Sequence, residues 1–186
     1  MPILRVPTLR DRVIELARLS QSDLADMLDL TDDDDVRAYT RVPVAADEAF
    51  AGSWIARYEA GWGDGTCAGF SVRDHASGAF LGFAAVVDLE LEERQGELGY
   101  IVAPAARGRG TATRALRLLT RWCFDELELE RIELRIDPRN VASQRIAARV
   151  GYRLEGVLRN VHLKDGLRCD AGVWSRLRDD PEPEPA

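Results

Sequence analysis

The spacing of apolar and polar residues changes period several times along the chain, and each change predicts an element. Residues 12–19 alternate loosely, as a half-buried strand does. Ser20 or Ser22 is placed to cap a short helix over 23–28. Over 45–60, Ala49, Phe50, Ile55 and Tyr58 recur at three- and four-residue intervals, a helical stripe that Gly61, Gly63 and Gly65 should end. Alternation returns over 67–73, and 80–89 is apolar enough for a central strand. The polar residues 74–78 between them predict an antiparallel hairpin. Another strand runs over 97–103 and stops at Pro104, which cannot donate to a ladder.

A long amphipathic helix follows over 110–127. Ala112, Ala115, Leu116, Leu119 and Trp122 line one face, and Thr113, Arg114, Arg117, Thr120 and Arg121 the other. Residues 132–136 alternate strictly. Asn140 is placed to cap a short helix carrying Ile146, Ala147 and Val150, with Gly151 as its left-handed terminator. Strands over 152–158 and 171–177 close the pattern. The sum is a mixed α/β domain: antiparallel strands and two helices first, a strand–helix–strand unit in the middle, and a helix–strand–strand finish.

Length and composition fit that reading. A chain of 186 residues suits one domain, here 8–178, and 46% hydrophobic with 31% charged residues suits a soluble one. The net charge of −7 argues against nucleic acid as a general partner, which asks for a basic face. Three dispersed cysteines and two histidines predict neither a disulfide framework nor a metal site. The first residues lack the apolar core of a leader, and no apolar run approaches the ~20 residues of a membrane span. A cytoplasmic setting without membrane contact is therefore expected. The acidic run 32–35 reads as a solvated face, or else as an attractor for cationic substrates. The acidic, proline-rich tail 179–186 reads as disordered.

Chemistry concentrates in one turn. Arg107, Gly108, Arg109, Gly110, Thr111 and Ala112 lie between the strand over 97–103 and the long helix. A glycine-rich turn there aims several backbone N–H groups at one spot, where the helix dipole is positive, and so makes an anion cradle. A phosphate loop of the Walker kind would need a lysine that Gly110-Thr111-Ala112 lacks. A dinucleotide fingerprint would need a third glycine near the start of a βαβ unit.

The turn resembles the Arg/Gln-x-x-Gly-x-Gly/Ala signature of the GNAT N-acetyltransferases. Gly96 to Val102 before it, Asn140-Val141-Ala142-Ser143 after it and Gly151-Tyr152-Arg153-Leu154-Glu155-Gly156 beyond resemble the RimJ/RimL-like subgroup, which acetylates N-termini of ribosomal proteins. That resemblance implies a GNAT-type fold: a mostly antiparallel twisted sheet of about seven strands, two of them splayed, flanked by about four helices. It implies acetyl-CoA as co-substrate without a metal. The pyrophosphate would sit on Arg107, Gly108, Arg109, Gly110, Thr111 and Ala112. The pantetheine would pair with the strand at Ile101 and Val102, and Asn140 and Ser143 would line its other side. The acceptor implied is an amine, first the α-amine of a protein or peptide. A small-molecule amine acceptor and a non-catalytic acyl-CoA-binding protein are the alternatives. Homodimers are compatible with the subgroup.

Direct attack on a thioester sets three tasks. A lysine amine with a pKa of ~10.4 needs a base, whereas an α-amine at ~7.7–8.0 is already partly neutral. Glu97, on the strand that would carry the thioester, is the first candidate base and Glu155 the second. His75 is expected at the surface. A backbone N–H near Val102 would stabilise the oxyanion. Ser143 first, then Tyr152, could protonate the leaving thiolate. Tyr100 and Trp122 read as core residues. Asp170, ahead of the last strand, reads as structural or acceptor-facing.

Overall fold

The computed structural model describes residues 7–183; the first six residues, read above for a leader, and the last three of the tail lie outside them. Strands β1 (Leu9–Arg10), β2 (Ile14–Arg18), β3 (Ala68–Asp74), β4 (Phe80–Glu90), β5 (Gln95–Val102), β6 (Arg131–Ile136), β7 (Arg153–Lys164) and β8 (Leu167–Leu177) form one sheet. Their order is β1-β2-β3-β4-β5-β6-β8-β7. Every neighbouring pair is antiparallel except β5 and β6. Parallel neighbours need a crossover, and α4 (Thr111–Asp125) supplies it. The other helices among the described residues are α1 (Leu24–Thr31), α2 (Asp34–Tyr39), α3 (Glu48–Asp64) and α5 (Val141–Arg149).

The mixed α/β class and the mostly antiparallel sheet are as the sequence implies. Eight strands replace about seven, because two residues of β1 pair with β2. Five helices replace four, because the acidic run folds into α2, with Asp33 as N-cap accepting from the Val36 N–H at 2.9 Å. Such a cap satisfies one of the amides that a helix start leaves bare.

Two glycines read as helix stops are helix interior: α3 runs on to Asp64, and only Gly65 terminates it, left-handed at φ 71°. Gly61 stays inside because any Cβ there would collide with Cys67. Local propensity lost to packing.

The sheet has an apolar layer on each side. Ala115, Leu116, Leu119 and Trp122 of α4 pack with Phe70, Ala84, Val86 and Leu98. On the opposite face Met27 of α1 and Ile55 and Tyr58 of α3 pack with Phe83, Ala85 and Ile101. Trp122 is core as expected, its ring 5.5 Å from Phe70. The polar face read for α4 is not wholly solvated, since Thr113 and Thr120 are buried.

The tail departs from the expectation of disorder as far as Pro183. Asp180 accepts from the Leu177 N–H at 2.9 Å and pairs with Arg153 at 3.1 Å, while Glu182 pairs with the buried Arg176 at 2.9 Å. The same acidic residues that suggested solvation find cations on the fold.

One local feature positions the site. β5 and β6 are paired only from Gln95↔Arg131 to Leu98↔Leu134, although β5 continues to Val102 and β6 to Ile136. Beyond Leu98 the two strands part and leave an opening in the middle of the sheet.

Candidate active site

The opening exposes backbone on one side only. The Ala103 N–H donates to the Leu81 carbonyl at 2.9 Å, so that residue faces β4. Antiparallel ladders alternate, so Ile101 and Gly99 also direct their backbone to β4, and Tyr100 and Val102 direct theirs into the gap. The Val102 carbonyl meets no strand there; it accepts from Arg107 Nε at 3.2 Å.

At the far end of the gap lies a cavity of about 580 Å³, lined by Ile101, Val102, Arg107, Gly108, Gly110, Thr111, Ala112, Asn140 and Ser143 among others. Gly108 and Gly110 are left-handed, at φ 73° and 79°. A Cβ on either would meet nothing within 4 Å, so conformation, not packing, calls for glycine. Gly110 is the N-cap of α4 and caps it with no side chain. The first amides of a 15-residue helix therefore face the cavity unanswered, the arrangement that suits an anion. Arg109 is exposed and does not line the cavity. Arg107 is tied to the acidic run: its guanidinium pairs with Asp33 and, at 2.9 Å, with Asp35. The run read as a solvated face is thus a brace for the glycine turn.

Asn140 Oδ1 accepts from the Ser143 N–H at 3.0 Å and caps α5, as its position predicts. The cap holds Ser143 at the gap, where its Oγ lies 2.7 Å from the Tyr100 hydroxyl. Tyr100, read as a core residue, packs against the core and also lines this cavity and a second one. Burial raises its pKa to about 12, with the Ser143 hydrogen bond opposing, so it stays a neutral phenol at neutral pH.

The second cavity, of about 480 Å³, opens on the other side of the gap and shares Tyr39, Thr40, Tyr100, Ile101, Asn140 and Ser143 with the first. Glu97 lies in its wall. Its side chain is 15% exposed, with Arg135 Nε at 3.2 Å and Arg41 Nη2 at 3.9 Å. Burial raises its pKa above the ordinary glutamate value, and the two guanidiniums pull only partly against it. Trp54, Tyr58 and Phe83 supply an aromatic wall; Trp54 meets Phe83 edge-on and Tyr58 meets it tilted, each at 5.2 Å between ring centres.

Two catalytic candidates lie elsewhere. Glu155 lines neither cavity: Arg131 grips it at 2.8 and 2.6 Å, and the Ser175 hydroxyl donates to it at 2.6 Å. Those bonds lower its pKa to about 2, which makes it a poor base. Tyr152 is buried and bonded to the Thr120 hydroxyl at 2.8 Å, away from both cavities. His75 stays in the β3–β4 turn, 3.6 Å from Glu15.

Two lining groups were missed, His162 and Lys164 on β7; Asp170, read as structural or acceptor-facing, lines the same cavity. They come from the stretch between 158 and 171, to which no element was assigned. Asp165 and Gly166, left-handed at φ 47° and 78°, form a two-residue turn that joins β7 to β8. An Asp-Gly pair between alternating residues is a strong hairpin signal and could have located them. A bulge at Asn160 (φ 53°) re-aims the strand; Asp170 Oδ1 accepts from its N–H at 2.8 Å.

Comparison with known proteins decides the family. The acetyltransferase (GNAT) domain matches residues 14–153. The chain belongs to the GNAT acetyltransferases. Bacillus subtilis YjcK, assigned as an N-acetyltransferase, is 36% identical over 85 residues, 46% of this chain and 47% of that protein. YdaF of the same organism, assigned as a ribosomal N-acetyltransferase, is 31% identical over 107 residues, 58% of each chain. Escherichia coli spermidine N(1)-acetyltransferase is 31% identical over 81 residues, 44% of each chain. The matched segment thus spans about half the length of these curated relatives.

RimL, a ribosomal α-N-protein acetyltransferase in complex with coenzyme A, superposes with a TM-score of 0.85 at 15% identity, covering 94% of this GNAT chain and 100% of its own. Mycobacterium smegmatis RimJ in complex with CoA-disulfide gives 0.80 at 25%, covering 92% and 86%. No helix of this GNAT domain's described residues is long and apolar enough to cross a membrane.

Proposed function

We propose that this protein is an acetyl-CoA-dependent N-acetyltransferase whose acceptor is the α-amine of a peptide or protein. One observation carries the reading: two cavities meet at Tyr100 and Ser143 through a gap in the sheet, with an anion cradle at the end of one and a buried carboxylate in the wall of the other. A donor and an acceptor could meet there from opposite sides.

The residues fit coenzyme A. The open glycine turn and the uncapped start of α4 would take the pyrophosphate, and the backbone of Tyr100 and Val102, which no strand pairs on the gap side, would take the pantetheine amides as a further strand. When bound, the acetyl thioester supplies the activated acyl group.

The protein's own groups do the rest. Glu97, with its pKa raised, accepts a proton from the acceptor amine. An N–H facing the gap near Val102 would receive the charge that develops on the acyl oxygen. Ser143 Oγ, backed by Tyr100, would protonate the departing sulfur. An α-amine demands less of the base than a lysine would. RimL, RimJ and YdaF support a protein acceptor. The spermidine relative supports a second reading, a small-molecule amine.

The test is thiol release from acetyl-CoA with peptides, polyamines and aminoglycosides as acceptors. Release with a peptide amine is expected. Coenzyme A binding without release for any amine would favour a binding protein, and no binding of coenzyme A would remove the reading.

A further inference from the structure

The second cavity is lined by one more cationic than anionic side chain. Arg41, Arg57, Arg135 and Lys164 face Glu97, Asp137 and Asp170. The three carboxylates are engaged: Glu97 with Arg135 at 3.2 Å, Asp137 with Arg139 at 2.7 Å, and Asp170 with the Asn160 N–H at 2.8 Å. Arg57 donates to the Val87 carbonyl at 3.0 Å. Lys164 differs from the rest. Its Nζ is shut off from solvent and has no hydrogen-bond partner among the described residues; the Asp137 carboxylate feels its charge without bonding to it. A desolvated ammonium without a partner is costly unless an anion answers it. Arg41, 63% exposed and 3.9 Å from Glu97, adds a second cation at the cavity wall.

We propose that Lys164, assisted by Arg41, binds a carboxylate carried by the acceptor, so that the preferred substrate is an amine with an acidic neighbour, such as a peptide N-terminus followed by Asp or Glu. This rests on the reading that the cavity takes the acceptor. A polyamine would bring further cations to a wall whose lysine has no hydrogen-bonded counter-ion among the described residues. The turn at Asp165-Gly166 follows Lys164 directly, so the hairpin that brings the lysine to the cavity belongs to acceptor recognition.

The test compares Ala-Glu-Glu-amide, Ala-Gln-Gln-amide and spermidine as acceptors at saturating acetyl-CoA, with wild type, Lys164→Gln and Lys164→Arg. An ion-assisted contact predicts a kcat/KM ratio for the acidic over the neutral peptide of about tenfold in the wild type. The ratio should fall close to one in Lys164→Gln and be kept in Lys164→Arg, which also controls for folding. Calorimetric binding of both peptides in the presence of coenzyme A supplies a readout without turnover. Equal or better use of the neutral peptide or spermidine by the wild type, or an unchanged ratio in Lys164→Gln, would overturn the proposal while the acetyltransferase reading stands. Lys164-dependent binding of the acidic peptide with no turnover of any amine would leave the anion site standing and remove the acetyltransferase reading.

Discussion

Gly110 offers the sharpest test of where the pyrophosphate sits. Its φ of 79° lies in the left-handed region, and a Cβ there meets nothing within 4 Å. Substitution therefore carries a backbone cost of roughly 1–2 kcal/mol for most residues, without a steric one. Asn and Asp tolerate that conformation better than others and are nearly isosteric. The difference between Gly110→Asn and Gly110→Asp is therefore one negative charge at the mouth of α4.

If a pyrophosphate with two charges lies about 5 Å away, each charge repels the carboxylate by about 0.8 kcal/mol even at the dielectric of water. The pair gives about 1.7 kcal/mol, more than tenfold in Kd. The value should grow at low salt and shrink at high salt. Calorimetric titration of both variants with coenzyme A, at two ionic strengths, measures it. Equal thermal stability with a Kd ratio of ten or more, reduced by salt, is expected. A ratio within twofold at low salt would refute the placement of the anion on this turn.

Three further outcomes are expected. Glu97→Gln should lower kcat by roughly 10²–10⁴, the usual span for a general base, and abolish the acidic limb of the pH–rate profile, which should lie above the ordinary glutamate value. Because a raised folded pKa contributes stability only at low pH and loses it as pH rises, this variant should melt no earlier than wild type at neutral pH; an unchanged kcat at every pH removes Glu97 as base. Tyr152→Phe should cost about 1–3 kcal/mol by leaving the buried Thr120 hydroxyl unanswered, with kcat near wild type; denaturant unfolding and steady-state kinetics separate the two effects. Glu155→Gln should cost at most about 1 kcal/mol, as exposed ion pairs do. Its folded pKa near 2 means the loss is full at neutral pH and fades as pH falls from the ordinary carboxylate range toward 2, which urea midpoints across that range would show.

How much of this was legible depends on whether a signal is local. The turn at 107–112 could be read because left-handed glycines and a bare helix start are local chemistry, and Asn140 could be read because a cap reaches only three residues ahead, to Ser143. The roles of single side chains were less legible, because partners distant in sequence decide them. Glu155 and Glu97 are both strand glutamates in charged stretches. What separates them is that Arg131 and Ser175 satisfy Glu155 at the surface, whereas β6 and the cavity wall desolvate Glu97. Neither fact has a sequence signature. Tyr100 and Tyr152 pose the same problem: both are buried aromatics next to apolar strand residues, yet one meets Ser143 across the gap and the other meets Thr120 inside the core. The hairpin carrying His162 and Lys164 is different again. Its Asp-Gly turn was present in the sequence, and the polar residues around it masked the alternation. Those polar residues interrupt the pattern because several of their side chains line a cavity, so the stretch that looked least like a strand holds part of the cavity proposed for the acceptor.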